Sequence, residues 1–119
     1  MDEELRKLNF HFKHVGIYTS GMDAANSAAD EFLDAFGFVP NKGSSSVFAS
    51  SAIELVGGGG LGAHGHIAIG TSDVGKAKAY LQKKGYTFNA GSEKFKDGKL
   101  IVTYLDHDFA GFAVHLVQA

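Results

Sequence analysis

The 119-residue chain contains no cysteine. Disulfides, a thiol nucleophile, an iron–sulfur cluster and a thiolate metal site are therefore excluded, and any bound metal must be held by histidine or carboxylate. Long apolar runs are also missing. The apolar stretches fall far short of the roughly 20 residues needed to span a bilayer, so no membrane partner is expected. The opening stretch MDEELRKLN is charged where a signal segment would be apolar, which makes the cytoplasm the expected location. Neither sign of charge dominates, since 11 basic groups face 13 acidic ones for a formal net charge of −2. The lysines are scattered and form no basic stripe, so nucleic acid is not an expected partner. What is present is 45% hydrophobic and 20% charged residues. A chain of this size buries roughly two thirds of its unfolded surface, enough for one compact domain over residues 1–119.

The chain repeats itself. HVGIYTS at His14 to Ser20 returns as HIAIGTS at His66 to Ser72. Each copy continues into a helical pattern closed by a glycine next to an aromatic residue, Phe36-Gly37-Phe38 and then Gly85-Tyr86. Each then ends in a strand-like tetrad, IELV at Ile53 to Val56 and VHLV at Val114 to Val117. Three landmarks in one order define two copies of a strand-helix-three-strand unit, the first abbreviated. Module one covers about residues 10–57, a glycine linker residues 57–62, and module two about residues 64–119. The linker is read as a flexible connector, because a strand follows it where a phosphate-cradling loop requires a helix.

Within each unit the elements are legible. The first helix carries Ala25, Ala28, Ala29, Phe32, Leu33 and Phe36 on one stripe, with Ser20 or Asp23 as N-cap and Gly37 as C-terminal stop. The second has Val74, Ala77, Tyr80 and Leu81 inside, Ser72 or Asp73 as cap, and Gly85 after its end. Further strands are expected near 44–49, 52–56, 86–89, 92–95, 99–105 and 111–118, with a hairpin at Asp97-Gly98. The fold class is thus α+β, two βαβββ modules forming a curled mixed sheet with a concave cavity.

The period of two in a strand assigns the faces. Val15, Ile17, Ile53, Leu55, Ile67, Ile69, Val114 and Leu116 point under the helices, so His14, Glu54, His66 and His115 point to the opposite face. A pseudo-twofold axis relating the modules makes His14 equivalent to His66 and Glu54 equivalent to His115. Three imidazoles and one carboxylate then line one surface. That set suits zinc, iron, nickel, cobalt or manganese without selecting among them, and it leaves coordination places open for water or substrate. The remaining histidines are read otherwise: His11 faces away from His14; His64, two residues before His66, either shares its face or lies exposed in a glycine-rich turn; and His107 sits in a polar loop, as a solvated turn or in a substrate-gating or proton-transfer role. Lys76 with Lys78 and Glu93 with Lys94 are read as solvated faces.

These residues resemble those of the vicinal oxygen chelate superfamily, which includes glyoxalase I, extradiol dioxygenases and the bleomycin-resistance proteins. The resemblance covers roughly Phe12 to Gln118 and is carried by HVGI, IELV and HIAI. It implies metal ligands at His14, Glu54, His66 and His115, with Glu54 and His115 carrying proton transfer. Glyoxalases have glutamate where this chain has His115, and extradiol dioxygenases use two histidines and one glutamate around iron(II). A narrower likeness lies in KHVGI, SSSVFASSAIELV, GHIAIGTSDV and GFAVHLVQ, which resemble the C-terminal accessory domain of some bacterial keto-deoxyphosphogluconate and keto-hydroxyglutarate aldolases. The resemblance implies a small oxo or hydroxy acid as ligand, a metal-dependent lyase, isomerase or dioxygenase chemistry, and a homodimer. Its alternative implication is a non-catalytic ligand-binding module, or an accessory to an aldolase partner.

Overall fold

A computed structural model describes residues 2–119. The elements run α1 (Glu3–Leu8), β1 (His11–Tyr18), α2 (Met22–Phe36), β2 (Pro40–Lys42), β3 (Ser46–Ala49), β4 (Ile53–Val56), β5 (Gly65–Thr71), α3 (Val74–Lys83), β6 (Phe88–Lys96), β7 (Lys99–Leu105) and β8 (Phe112–Gln118). All eight strands form one sheet in the order β2-β3-β4-β1-β5-β8-β7-β6. The order is symmetric about its centre. β1 pairs in parallel with β4, β5 pairs in parallel with β8, and the two leading strands meet antiparallel in the middle. Each half is one βαβββ module, as the sequence repeat predicts. No helix among the described residues is long and apolar enough to cross a membrane.

The register carries the pseudo-twofold relation down to single residues. Across the central pair Gly16 faces His66 and His14 faces Ala68. On the flanks Glu54 faces Gly16 and His115 faces Ala68. Exchanging His14 with His66, Gly16 with Ala68 and Glu54 with His115 maps one set of pairs onto the other.

The helices form where apolar spacing and end signals agree. In α3 the Asp73 side chain accepts a hydrogen bond from the Lys76 N–H at 2.9 Å, one of the two caps expected, and Val74, Ala77 and Tyr80 are buried beneath it. In α2 the cap position falls on Gly21, which offers no side-chain bond, while Gly37 closes the far end in the left-handed conformation at φ 74°. Ala25 and Ala29 pack on Val47, Ala49 and Leu55, with Met22, Ala28 and Phe32 at the margin. The second core gathers Val74, Ala77, Tyr80, Leu116 and Leu8.

Several elements depart from the sequence reading. α1 was not expected; Asp2 caps it through the Leu5 N–H at 2.7 Å, and Leu8 buries itself against α3. A strand of three residues, β2, pairs with β3 where the abbreviated first module showed no pattern. The strands expected at 86–89 and 92–95 are one, β6, whose pairing with β7 shifts register between Asn89 and Lys94. That bulge breaks the alternation on which two separate strands were read. Ile17, expected under a helix, is 38% exposed, and Phe36, expected on the buried stripe, is 66% exposed. α2 packs on β3 and β4 rather than the central pair, leaving Ile17 without a cover. Lys78 and Glu93 are not solvated faces: they form an ion pair at 2.6 Å, joined by the buried Thr103 hydroxyl at 3.1 Å.

Candidate metal centre

Two rows of side chains cross the concave face at its centre. One runs Phe48, Glu54, Gly16, His66 and Ala113 over β3, β4, β1, β5 and β8. The next runs His14, Ala68, His115 and Tyr104 over β1, β5, β8 and β7. Gly16, Ala68 and Ala113 stand beside the imidazoles in these rows, so each ring has at least one neighbour too small to obstruct it. The room is most visible at Gly16, where any Cβ would overlap the His66 ring.

The structure brings all four expected residues together. The ring centroids of His14 and His66 lie 5.5 Å apart, those of His66 and His115 5.4 Å, and those of His14 and His115 6.1 Å. One ring nitrogen from each of the three lies within 4.8 Å of the others, a spacing at which the three could hold one metal ion. Glu54 stands beside this trio. Its Oε1 is 3.0 Å from His66 Nε2 and 3.5 Å from His14 Nε2, while its Oε2 accepts a 2.8 Å bond from the Ser46 hydroxyl. These contacts hold the Glu54 carboxyl far below the usual carboxylate range, the His14 and His66 hydrogen bonds contributing most.

His115 is buried, and burial lowers its pKa to about 4, so it is neutral at physiological pH. A neutral imidazole is the form that binds a metal. His66 is also buried, and its Nδ1 has no hydrogen-bond partner. An unpartnered buried nitrogen is costly in a fold and is a group that a ligand or ion can satisfy. The donor set of imidazoles and a carboxylate on rigid strands therefore fits a divalent first-row metal.

Two further residues touch the cluster and were missed in the sequence. Tyr104 packs on His115 with centroids 4.7 Å apart, and Tyr18 lies 5.9 Å from the His66 ring. Both line an open cleft of about 400 Å³ with His66, Leu61, Ser92 and Lys94. Burial pushes the Tyr104 phenol up to about 12 and raises Tyr18 as well. The signal for Tyr18 was available, since it alternates with His14 and Gly16. Tyr104 became legible only through its pairing with β8.

The other histidines lie outside the centre. His11 opens β1, its Nδ1 2.8 Å from the Asn9 carbonyl. His64 is exposed against Phe112, and His107 is stacked between Tyr86 and Phe109. The linker is part of the cleft rather than a mere connector: Gly59, Gly60 and Leu61 line it, and the Tyr18 hydroxyl donates to the Leu61 carbonyl.

Paired βαβββ modules forming one curled eight-stranded sheet are the vicinal oxygen chelate fold. Solved structures of that fold match the chain over nearly its whole length. A variant of methylmalonyl-CoA epimerase from Streptomyces coelicolor, in complex with 2-nitronate-propionyl-CoA, is 18% identical at a TM-score of 0.60, over 91% of this chain and 96% of that one. Methylmalonyl-CoA epimerase from Mycobacterium tuberculosis is 16% identical at a TM-score of 0.61, over 90% and 86%. A hypothetical protein from Bacillus halodurans C-125 is 14% identical at 0.64, over 93% and 95%. At these identities the likeness is one of fold. No protein-family model matches the sequence, and no curated protein matches it.

Proposed function

We propose that the chain binds one divalent metal ion through His14, His66 and His115, with Glu54 as the adjoining carboxylate, and offers its open positions to the paired oxygens of a small oxo or hydroxy acid. The observation that carries this reading is the convergence of three imidazole nitrogens within 4.8 Å from two modules. When bound, the ion supplies Lewis acidity to a carbonyl or carboxylate oxygen. The chain's own residues do the rest. Glu54, ionised at neutral pH, offsets cationic charge and orients the His14 and His66 rings. Glu54 or His115 moves the proton, His115 only through a nitrogen free of the ion. The curled sheet shields one side of the cluster, and the cleft beside His66 falls within the size range of small-molecule sites.

A second reading follows from the fold neighbours. One of them holds an acyl-CoA analogue. An acyl thioester whose α-proton is moved by Glu54 and His115 is therefore the competing substrate class.

Elemental analysis of untagged protein purified without chelator tests the metal reading. The expected result is about one metal per native chain and none in His66→Ala, a variant that removes one of the three nitrogens. No metal above background after incubation with zinc, nickel, manganese or iron(II) overturns it. Loaded protein is then assayed against oxo acids and methylmalonyl-CoA in parallel to separate the two substrate classes.

A further inference from the structure

The modules differ at one paired position that packing does not explain. β3 of module one and β7 of module two are equivalent in the sheet order. In module one the residue opposite Glu54 is Phe48, whose ring sits edge-on against His14 at 5.3 Å. In module two the residue opposite His115 is Tyr104, with its ring against His115 at 4.7 Å. Both positions supply an aromatic wall to the imidazoles. Phe48 does so without a hydroxyl, so the fold needs the ring at this position and not the oxygen.

The Tyr104 hydroxyl is also free. Among the described residues it makes no hydrogen bond, whereas the Tyr18 hydroxyl donates to the Leu61 carbonyl. The backbone beneath it is fixed. The Tyr104 N–H donates to Ser92 Oγ at 2.9 Å, and that hydroxyl donates onward to the Asn89 carbonyl at 2.6 Å. On the opposite face its neighbour Thr103 is wholly buried and bonded to Glu93. Alternation then leaves Tyr104 only the cleft side, where it is one of the lining residues. A positioned phenol without an internal partner, next to a candidate metal centre, is an O–H donor waiting for an acceptor.

We propose that Tyr104 is the specificity-determining residue of the cleft, its hydroxyl donating to an oxygen of the bound oxo or hydroxy acid beside the histidine cluster. The inference rests on the metal-binding reading above. It commits the cleft to ligands that present an anionic or carbonyl oxygen to both the ion and the phenol. A site built to hydrogen-bond an oxygen discriminates against ligands lacking it far more strongly than an apolar wall does.

The test is oxalate binding to zinc-loaded native protein and to zinc-loaded Tyr104→Phe, by calorimetric titration, with zinc affinity measured separately on each. Tyr104→Phe keeps the ring and deletes only the hydroxyl. The expected result is zinc affinity unchanged within about twofold and oxalate binding weakened about tenfold, the usual scale of one lost hydrogen bond to a charged acceptor. Equal oxalate affinity in the two loaded proteins overturns the proposal. If Tyr104→Phe does not fold or load, the native protein decides. Oxalate must then perturb its tyrosine absorption band, and an unperturbed band overturns the proposal equally. Failure of the native chain to take up zinc, nickel, manganese or iron(II) is a separate result: it removes the metal reading, and the ligand-selecting role of Tyr104 falls with it.

Discussion

Gly16 lies opposite His66 across the β1–β5 pair, and the His66 imidazole occupies the space a side chain at Gly16 would need. An alanine there overlaps the ring at Cε1 and at both nitrogens. The imidazole must turn away, giving up its contact with Glu54. Gly16→Ala is expected to destabilise the chain by about 1–3 kcal/mol, as overpacking does, and to weaken zinc binding by about tenfold or more. Urea unfolding and zinc titration measure the two effects. Native zinc affinity in the folded variant would remove Gly16 as the residue that seats His66.

Stability should fall with acidification. His115 titrates near 4 in the fold, below its ordinary value of 6.5, so the unfolded chain binds a proton over that interval and the folded chain does not. Its contribution is complete above pH 6.5 and is lost as pH drops towards 4. Glu54 acts in the same direction. Its carboxyl is depressed well below 4.5, so protonation on unfolding favours the unfolded state increasingly below that pH. Thermal midpoints of metal-free protein between pH 8 and pH 4 should therefore decline, and His115→Leu should flatten the slope from pH 6.5 to 4. A native midpoint that does not change over that range contradicts the burial of His115.

The turn entering β8 carries avoidable strain. Ala110 and Gly111 both have positive φ, 53° and 87°, in a two-residue connection between Phe109 and Phe112, whose backbones exchange hydrogen bonds at 2.8 and 3.0 Å. The left-handed region suits asparagine or glycine and penalises alanine. Ala110→Asn should stabilise the chain by about 0.5–1 kcal/mol, a rise of a few degrees in the thermal midpoint. The opposite change, Gly111→Ala, should lower it, since a Cβ there meets the His64 ring in an already disfavoured conformation. Differential scanning calorimetry distinguishes these outcomes, and no gain for Ala110→Asn counts against the strain.

The Lys78–Glu93 pair ties α3 to the outer strand β6. Its side chains are 25% and 14% exposed, less open than an ordinary surface pair. Lys78→Met leaves Glu93 with Thr103 as its remaining partner. The expected cost is about 1 kcal/mol, accompanied by faster amide exchange in β6 and little change in β1 to β4. Uniform exchange across both modules would show that the pair does not anchor β6.

Much of the architecture was legible because it is local. The repeat of HVGI and HIAI, the closing tetrads IELV and VHLV, and Gly37 and Asp97-Gly98 each act within a few residues. β2 was not legible, since three residues beginning at Pro40 hold no period, and β6 was misread because its bulge interrupts the alternation. α1 shows too short a pattern to distinguish from a charged tail; it is held by Leu8 packing on α3.

The centre divides in the same way. Alternation within each strand is enough to turn His14 away from Val15, Glu54 from Ile53, His66 from Ile67 and His115 from Val114, because side-chain direction along a strand follows the backbone period. The sequence by itself also determined that no thiolate could join them. Chain folding supplies the rest: the four residues meet on one face, Glu54 contacts both His14 and His66, Tyr104 stands against His115, the glycine linker walls the cleft, and Ile17 is left uncovered. Those relations depend on which strands become neighbours, in what register, and on how the sheet curls. They are set by contacts between residues far apart in the chain, on which local alternation places no constraint.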